Sequence, residues 1–244
     1  MTSGRTPLRT AVVAATLALA ACSGGDPGTA PPEVPAPRPS LAEAGTELSE
    51  PPDGTRWVGA GRLVVAVPAD WPTEVGPCGV PEDGVVHVAT DARATRCAAP
   101  LGAGTGVVVT DWSTGSLQPV RGRTVDVGGV EVRRSFGCAD SAGAGCSAEA
   151  GSAAAGAVVR ASAPGLGLPR RIVDTLTLLP DGWVTVPPIE LGTPVARAER
   201  TLERSGLAAR LPQVDWPHYA TSTVPPAGTP VPVGSTVEVL PGDG

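Results

Sequence analysis

The sequence predicts an α+β protein in which a mostly-β, disulfide-containing central domain precedes a small C-terminal module. Short β-branched runs bounded by Gly, Pro or Asp recur between residues 53 and 182 and are typical of strands. Near the C-terminus, one helix is specified at both of its ends and is followed by alternating valines. The 244 residues include 32 glycines and 28 prolines but one Phe and one Tyr, so a single large aromatic core is not expected.

Residues 1–21 form a predicted signal peptide. Arg5 and Arg9 precede an apolar run from Ala11 to Ala21, which is shorter than the about 20 residues that a membrane span needs. The run ends in Leu19-Ala20-Ala21-Cys22, which resembles the lipobox of bacterial lipoproteins. The resemblance implies cleavage before Cys22, lipidation of this cysteine and attachment to the extracytoplasmic face of the cell membrane. The alternative is an ordinary signal peptide that leaves Cys22 free.

Residues 22–52 are predicted to form a disordered tether. The segment from Ser23 to Ser40 contains six prolines and three glycines, and residues 41–52 are acidic. Neither part has the apolar side chains that a packed core requires. As an extended polyproline helix, the tether would span roughly 90 Å. Its expected role is to hold the folded part of the chain away from the bilayer.

The central domain, residues 53–182, is predicted to contain several strands and one late helix. Paired glycines at 128 and 129 predict a tight turn between the strands Thr124–Val127 and Val130–Arg133. A helix from Pro169 to Leu179 would place Ile172, Val173, Leu176 and Leu179 on one face. The other strand candidates are Arg62–Val67, Gly84–Ala89, Gly106–Thr110 and Ala157–Ala161.

Four cysteines of the central domain are predicted to form disulfides, as is usual for an exported protein. They are Cys78, Cys97, Cys138 and Cys146, and three connectivities are possible. We favour Cys78 with Cys97 and Cys138 with Cys146, because each pair closes a short loop. The alternative is a metal or redox site, although the sequence has no Cys-x-x-Cys and no His at ligand spacing from these cysteines.

The C-terminal domain, residues 183–244, is built around one helix. Thr193 is expected to cap the start of this helix, with Pro194 at the first helical position. Gly206 is placed to end the helix in the left-handed conformation, and Leu207 is then expected to pack back on Leu202 as in a Schellman motif. The alternation of Val237 and Val239 predicts a closing strand.

The order of these parts resembles the PASTA domain, an extracellular module of penicillin-binding proteins and bacterial serine/threonine kinases. The resemblance implies one helix packed on a three-stranded sheet and an envelope-facing module, and some members recognise peptidoglycan fragments or β-lactams. The chain departs from the family at Ala220 and Thr223, where a valine and a glutamine are usual. The matching elements are Val186-Pro187, Gly192, Ala198, Leu202, Gly206-Leu207, residues 225–229 and residues 234–237.

Two groups of residues in the C-terminal domain are candidates for ligand binding. Arg197 and Arg200 lie along one side of the helix, where they could meet a carboxylate of a peptidoglycan stem peptide. Trp216, His218 and Tyr219 belong to the loop after the helix and could stack on a sugar ring. The alternative for the arginines is a solvated helix face with local ion pairs.

The residues that most enzymes use are scarce. The chain has no Lys, which excludes P-loop and Schiff-base lysines, and it has neither Gly-x-Ser-x-Gly nor His-Glu-x-x-His. His87 lies within a strand candidate and is interpreted as structural. We therefore expect no catalytic residues, no metal and no cofactor. A net charge of −6 does not suit nucleic acid, which needs clustered positive charge.

Together these features predict a non-catalytic, membrane-anchored lipoprotein of the cell envelope. In the leading hypothesis, the PASTA-like domain binds peptidoglycan, a muropeptide or a wall-associated envelope protein. The alternative is an accessory or sensor lipoprotein whose central domain binds a protein or small ligand, with the C-terminal domain as a spacer. An enzyme ranks third, because its active site would have to be built without a recognisable motif.

Overall fold

A computed structural model describes residues 47–77, 83–90, 104–111, 120–139, 145–211 and 219–242. Residues 42–244 form one compact unit. The described part of the chain is mostly β, with 51% of its residues in strands and 11% in two helices. None of its helices is long and apolar enough to cross a membrane. The predicted signal peptide, Cys22 and most of the predicted tether lie outside the described residues.

The described residues form sixteen strands and two helices, joined by turns and loops. The first part of the compact unit contains β1 (Thr55–Ala60), β2 (Leu63–Pro68), β3 (Thr73–Gly76), β4 (Val85–Ala89), β5 (Gly106–Asp111), β6 (Arg123–Val127), β7 (Val130–Cys138), β8 (Cys146–Ser152), β9 (Ala157–Ala163), α1 (Gly167–Asp174) and β10 (Thr177–Leu178). The second part contains β11 (Trp183–Thr185), β12 (Thr193–Pro194), α2 (Val195–Arg204), β13 (Ala208–Arg210), β14 (Tyr219–Val224), β15 (Pro230–Pro232) and β16 (Thr236–Gly242).

A seven-stranded mixed sheet dominates the first part of the unit. Its strand order is β3-β4-β5-β9-β8-β7-β6, and β3, β4 and β5 are parallel while the other pairs are antiparallel. Helix α1 packs on β8 and β9, and the smaller sheet β1-β2-β10 shares the same core. This core consists mainly of valine and alanine, as the β-branched runs predict.

The predicted hairpin between β6 and β7 is confirmed. Val127 and Val130 are register partners, and the two glycines between them both have positive φ, 57° at Gly128 and 82° at Gly129. Two consecutive residues with positive φ produce the tight turn whose twist matches that of the flanking strands. A side chain at either position would oppose this backbone conformation.

One of the two predicted disulfides lies within the described residues. Cys138 and Cys146 face each other in the register of β7 and β8, and their sulfur atoms are 2.06 Å apart. The two cysteines are eight positions apart, and the bridge joins two strands that are already paired. Cys78 and Cys97 lie outside the described residues, and their pairing stays a prediction.

The predicted helix from Pro169 to Leu179 is wrong at its C-terminal end. Helix α1 ends at Asp174, and the next residue, Thr175, turns its hydroxyl to the carbonyl of Ile172 at 2.6 Å. The same hydroxyl accepts a hydrogen bond of 2.8 Å from the backbone N–H of Ala66 in β2. This contact between a β-branched residue and a neighbouring strand favours an end to the helix, after which the chain pairs with β2 as β10.

The predicted α+β fold is wrong, because the chain is mostly β and its C-terminal region is not one helix on a three-stranded sheet. The region instead has a four-stranded sheet, β12-β14-β16-β13, and a two-stranded sheet, β11-β15. The additional strands arise from the segments that flank the helix. Pro194 has an extended ψ of 133° and pairs with Tyr219, while Ala208–Arg210 pairs with β16.

The two ends of helix α2 differ in how well the sequence predicts them. The helix begins at Val195, so Thr193 is not its cap and Pro194 is not its first residue. The Schellman motif is confirmed at the other end. Leu207 donates its N–H to the carbonyl of Leu202 at 3.0 Å, and Gly206 has a φ of 77°.

The C-terminal segment is tied into the first part of the unit. Ala227 belongs to the hydrophobic core around the seven-stranded sheet, and Gly59 of β1 donates its N–H to the carbonyl of Gly228 at 2.9 Å. A second core, on which α2 packs, contains Val186, Ile189, Ala198, Leu202, Leu207, Ala220, Val231, Val237 and Val239. The proposed boundary between residues 182 and 183 stays a prediction.

Candidate functional site

Helix α2 presents Arg197 at the surface of the C-terminal region. Its opposite side is anchored by Ala198 and Leu202, which are fully buried in the second core. Thr201 donates its hydroxyl to the carbonyl of Arg197 at 3.0 Å, within the same turn of helix. The position of Arg197 is therefore set by a packed element and not by a loop.

Arg197 lines a polar cavity of about 200 Å³. The Thr90 hydroxyl, at the end of β4, donates a hydrogen bond to the Glu190 carboxylate across the cavity wall. Thr90 comes from the first part of the unit, so the cavity is made by residues far apart in the sequence. The complete lining is Thr90, Pro188, Ile189, Glu190, Thr193, Arg197 and Thr201.

The cavity lining supplies three kinds of hydrogen-bonding group. A guanidinium offers several donors in a fixed plane, a carboxylate accepts, and threonine hydroxyls do both. This set suits a ligand that carries carboxylate, ammonium or hydroxyl groups. No cluster of three His, Cys, Asp or Glu residues that could hold a metal ion occurs in the described chain.

The structure brings only some of the predicted binding residues together. Arg200 is exposed one turn after Arg197 but does not line the cavity, and its carbonyl accepts a hydrogen bond from Arg204 Nε at 3.1 Å. Tyr219 is exposed at the start of β14, where it pairs with Pro194. Trp216 and His218 lie outside the described residues. Sequence reasoning therefore found Arg197 but missed Glu190 and Thr90.

A second, less polar cavity of about 300 Å³ lies where β1 and β4 meet the segment 183–188. Trp183 supplies its largest side chain, and Arg62 and Asp111 stand among mostly apolar residues. Arg62 also forms an ion pair of 3.1 Å with Asp181. The other lining residues are Gly59, Ala60, Gly61, Val88, Ala89, Val184, Thr185, Val186, Pro187, Pro188 and Ser205.

His87 and Arg56 line neither cavity, and each contacts a neighbouring segment of the fold. His87 lies half-buried in β4, in register with Glu74, and its ring packs against Gly76 of β3. This position agrees with its interpretation as a structural residue. Burial lowers the pKa of Arg56, whose Nη2 donates to the carbonyl of Trp71 at 2.8 Å and to the Thr73 hydroxyl at 2.7 Å.

Comparisons of the chain with protein-family models, with curated proteins and with solved structures found no significant match.

Proposed function

We propose that this protein is a non-catalytic lipoprotein of the cell envelope, anchored through Cys22, whose C-terminal region binds peptidoglycan fragments. The observation that carries the binding proposal is the polar cavity that contains Arg197, Glu190 and three threonines. Stem peptides carry carboxylates and ammonium groups, and the glycan carries hydroxyls. The cavity lining offers a complementary group for each of these. The alternative partner of the C-terminal region is a wall-associated protein.

The size of the cavity limits what part of a muropeptide it would hold. A volume of about 200 Å³ is below the range of about 300–1,000 Å³ typical of drug-sized ligands. One terminal residue of a stem peptide is therefore the proposed occupant. Its carboxylate would accept charge-assisted hydrogen bonds from Arg197, and Glu190 would accept from its ammonium or amide group.

Loss of the Arg197 guanidinium should weaken binding to the wall. In the Arg197→Gln variant, we expect the affinity of the full chain for insoluble peptidoglycan to fall at least about tenfold, because a hydrogen bond to a charged group contributes about 1.5–3 kcal/mol. Sedimentation with peptidoglycan, followed by quantification of the supernatant, measures this change. The helix should persist, since Gln and Arg have similar helix propensities.

Arg210→Gln is the matched control for this experiment. Arg210 is exposed on β13, where it forms an ion pair with Glu238, and it does not line the cavity. This variant should sediment as the unmodified protein does. Equal sedimentation of all three proteins would contradict the role of Arg197, and failure of the unmodified protein to sediment would contradict wall binding.

Membrane attachment has its own test in Cys22→Ala. The lipobox-like residues Leu19 to Cys22 support acylation of this side chain, and stable anchoring takes more than one acyl chain. We expect the variant to leave the membrane fraction, whereas the unmodified protein stays there after a high-salt wash. Mass spectrometry of the mature N-terminus should show acyl mass on Cys22. An unmodified cysteine at this position would contradict the anchor.

The second candidate function is a sensor or accessory lipoprotein that binds a small ligand or a protein. The less polar cavity of about 300 Å³ beside Trp183 favours this alternative. An aromatic side chain among apolar residues with a few charged groups is typical of small-molecule sites. Here the occupant would contact Gly59–Arg62 as well as the segment 183–188. This alternative predicts that the full chain stays in the supernatant with peptidoglycan.

A further inference from the structure

Three arginines lie on the face of the seven-stranded sheet that carries helix α1. Arg123 of β6 and Arg134 of β7 are direct register partners. Arg170 of α1 reaches the same face, because its guanidinium lies 5.6 Å from the centre of the Phe136 ring on β7. We name Arg123, Arg134 and Arg170 the arginine cluster.

The strand register places two members of the arginine cluster side by side. Side chains alternate between the two faces of a strand, so Arg123 shares a face with Val125, and Arg134 shares a face with Val132. Val125 and Val132 are themselves register partners, and both pack in the core to which α1 contributes. Directly opposed residues have Cβ atoms about 4.5–5.5 Å apart, and like charges at this distance destabilise a sheet.

The neighbouring negative charge does not balance the arginine cluster. Asp174 is shared by two guanidiniums, with its Oδ1 3.6 Å from Arg134 Nη1 and its Oδ2 3.6 Å from Arg170 Nε. Both distances exceed the about 2.7–2.9 Å of a strong charge-assisted hydrogen bond. The Arg123 side chain forms no hydrogen bond or ion pair with another side chain in the described ranges. Three positive charges thus face one carboxylate.

Arg134 is the most buried member of the arginine cluster. Its side chain is 18% exposed, and its Nε is buried without a hydrogen-bond partner among the described residues. A buried donor without an acceptor costs about 1–3 kcal/mol, and more when the group is charged. An additional acceptor at this place would remove the cost and would also relieve the repulsion between Arg123 and Arg134.

The geometry points to a phosphate-binding site formed by Arg123, Arg134 and Arg170. Planar guanidiniums bind phosphate oxygens in pairs, and the excess of two positive charges over Asp174 matches a phosphate dianion. The chain as a whole carries a net charge of −6, so this local excess does not follow from its composition. The Phe136 ring lies within cation–π distance of the Arg170 guanidinium, and this contact favours a fixed position for Arg170 on the sheet.

Calorimetric titration of the full chain with inorganic phosphate, at low and constant ionic strength, tests this site. We expect saturable binding that weakens about tenfold in Arg123→Gln and strengthens in Asp174→Asn, which removes the competing carboxylate. Arg123 is exposed, so its replacement should not disturb the core. Arg210→Gln again serves as control, since it removes an exposed arginine outside the cluster and should leave phosphate binding unchanged.

Phosphate could reach the arginine cluster as a free anion or as a lipid headgroup, and a second titration separates these sources. Vesicles of phosphatidylglycerol mixed with phosphatidylcholine replace inorganic phosphate as the probe, and every protein carries Cys22→Ala so that no acyl chain contributes to vesicle binding. If the protein binds free phosphate but not vesicles, the ligand of the arginine cluster is a soluble phosphate. If it binds vesicles and this binding depends on Arg123, the ligand is a lipid headgroup. The proposal is overturned if neither probe binds, or if Arg123→Gln and Arg210→Gln weaken binding equally. Peptidoglycan sedimentation should be the same in Arg123→Gln as in the unmodified protein.

Discussion

Replacement of Gly59 by alanine, which adds one methyl group, is expected to destabilise the protein by about 3 kcal/mol or more. A Cβ at this position would lie 1.9 Å from the carbonyl oxygen of Leu63 and 2.8 Å from the Cα of Val64. Both atoms belong to the backbone of β2, which is buried and paired on both sides. The clash therefore cannot be relieved by a change of side-chain rotamer.

Urea denaturation monitored by tryptophan fluorescence measures the loss at Gly59. The midpoint of unfolding should fall markedly in Gly59→Ala, with a similar dependence on urea concentration. Gly137→Ala is the matched control, since a Cβ there would have no described residue within 4 Å apart from its chain neighbours, and its φ is not positive. The control should differ from the unmodified protein by less than about 0.5 kcal/mol. Equal effects of the two variants would contradict the close approach of β1 and β2.

Leu202→Ala is expected to cost about 3 kcal/mol in the free energy of unfolding, within the range of about 2–5 kcal/mol for buried leucines. Leu202 is a residue of α2, and its side chain is fully buried in the second core, against the four-stranded sheet. Its carbonyl is also the acceptor of the Schellman motif. The truncation removes apolar contacts and leaves a cavity that the surrounding valines fill only in part.

Leu191 provides the comparison for Leu202. The two substitutions remove the same atoms, but Leu191 is 75% exposed, so Leu191→Ala should change stability by less than about 0.5 kcal/mol. Thermal unfolding and urea denaturation of both variants measure the difference. Similar losses at the two positions would show that α2 does not pack on the sheet as described.

Much of the fold is encoded in local patterns. The β-branched run Arg62–Val67 corresponds to β2, and Ala157–Ala161 corresponds to β9, because valines that alternate or cluster between turn residues suit buried strands. The turn at Gly128 and the helix end at Gly206 were predictable because the backbone requires positive φ there.

The missed elements depend on tertiary pairing. Strand β8 has the sequence CSAEAGS, in which Ala, Gly and Ser have little intrinsic preference for strands. It forms because β7 and β9 pair with it on both sides and because its small side chains fit beneath α1. The two-residue strand Thr193–Pro194 likewise exists only through its pairing with β14, so the four-stranded sheet could not be predicted from local sequence.

The candidate site was predictable to a similar degree. Arg197 follows from helical periodicity, because its helix has a clearly apolar side. Glu190 and Thr90 are 100 positions apart, and neither belongs to a motif. Only the folded chain brings them to one cavity. The pairing of Arg123 with Arg134 follows from the register of the predicted hairpin, whereas the approach of Arg170 from α1 depends on the folded chain.

The hydrogen bond between Thr90 and Glu190 links occupancy of the polar cavity to folding of the entire unit. Any molecule held there touches residues from both parts of the chain, and the unfolded polypeptide offers no such surface. A ligand at one hundred times its dissociation constant would add about 2.7 kcal/mol to the stability of the folded state. Resistance to heat and to proteases would then rise and fall with the supply of that ligand.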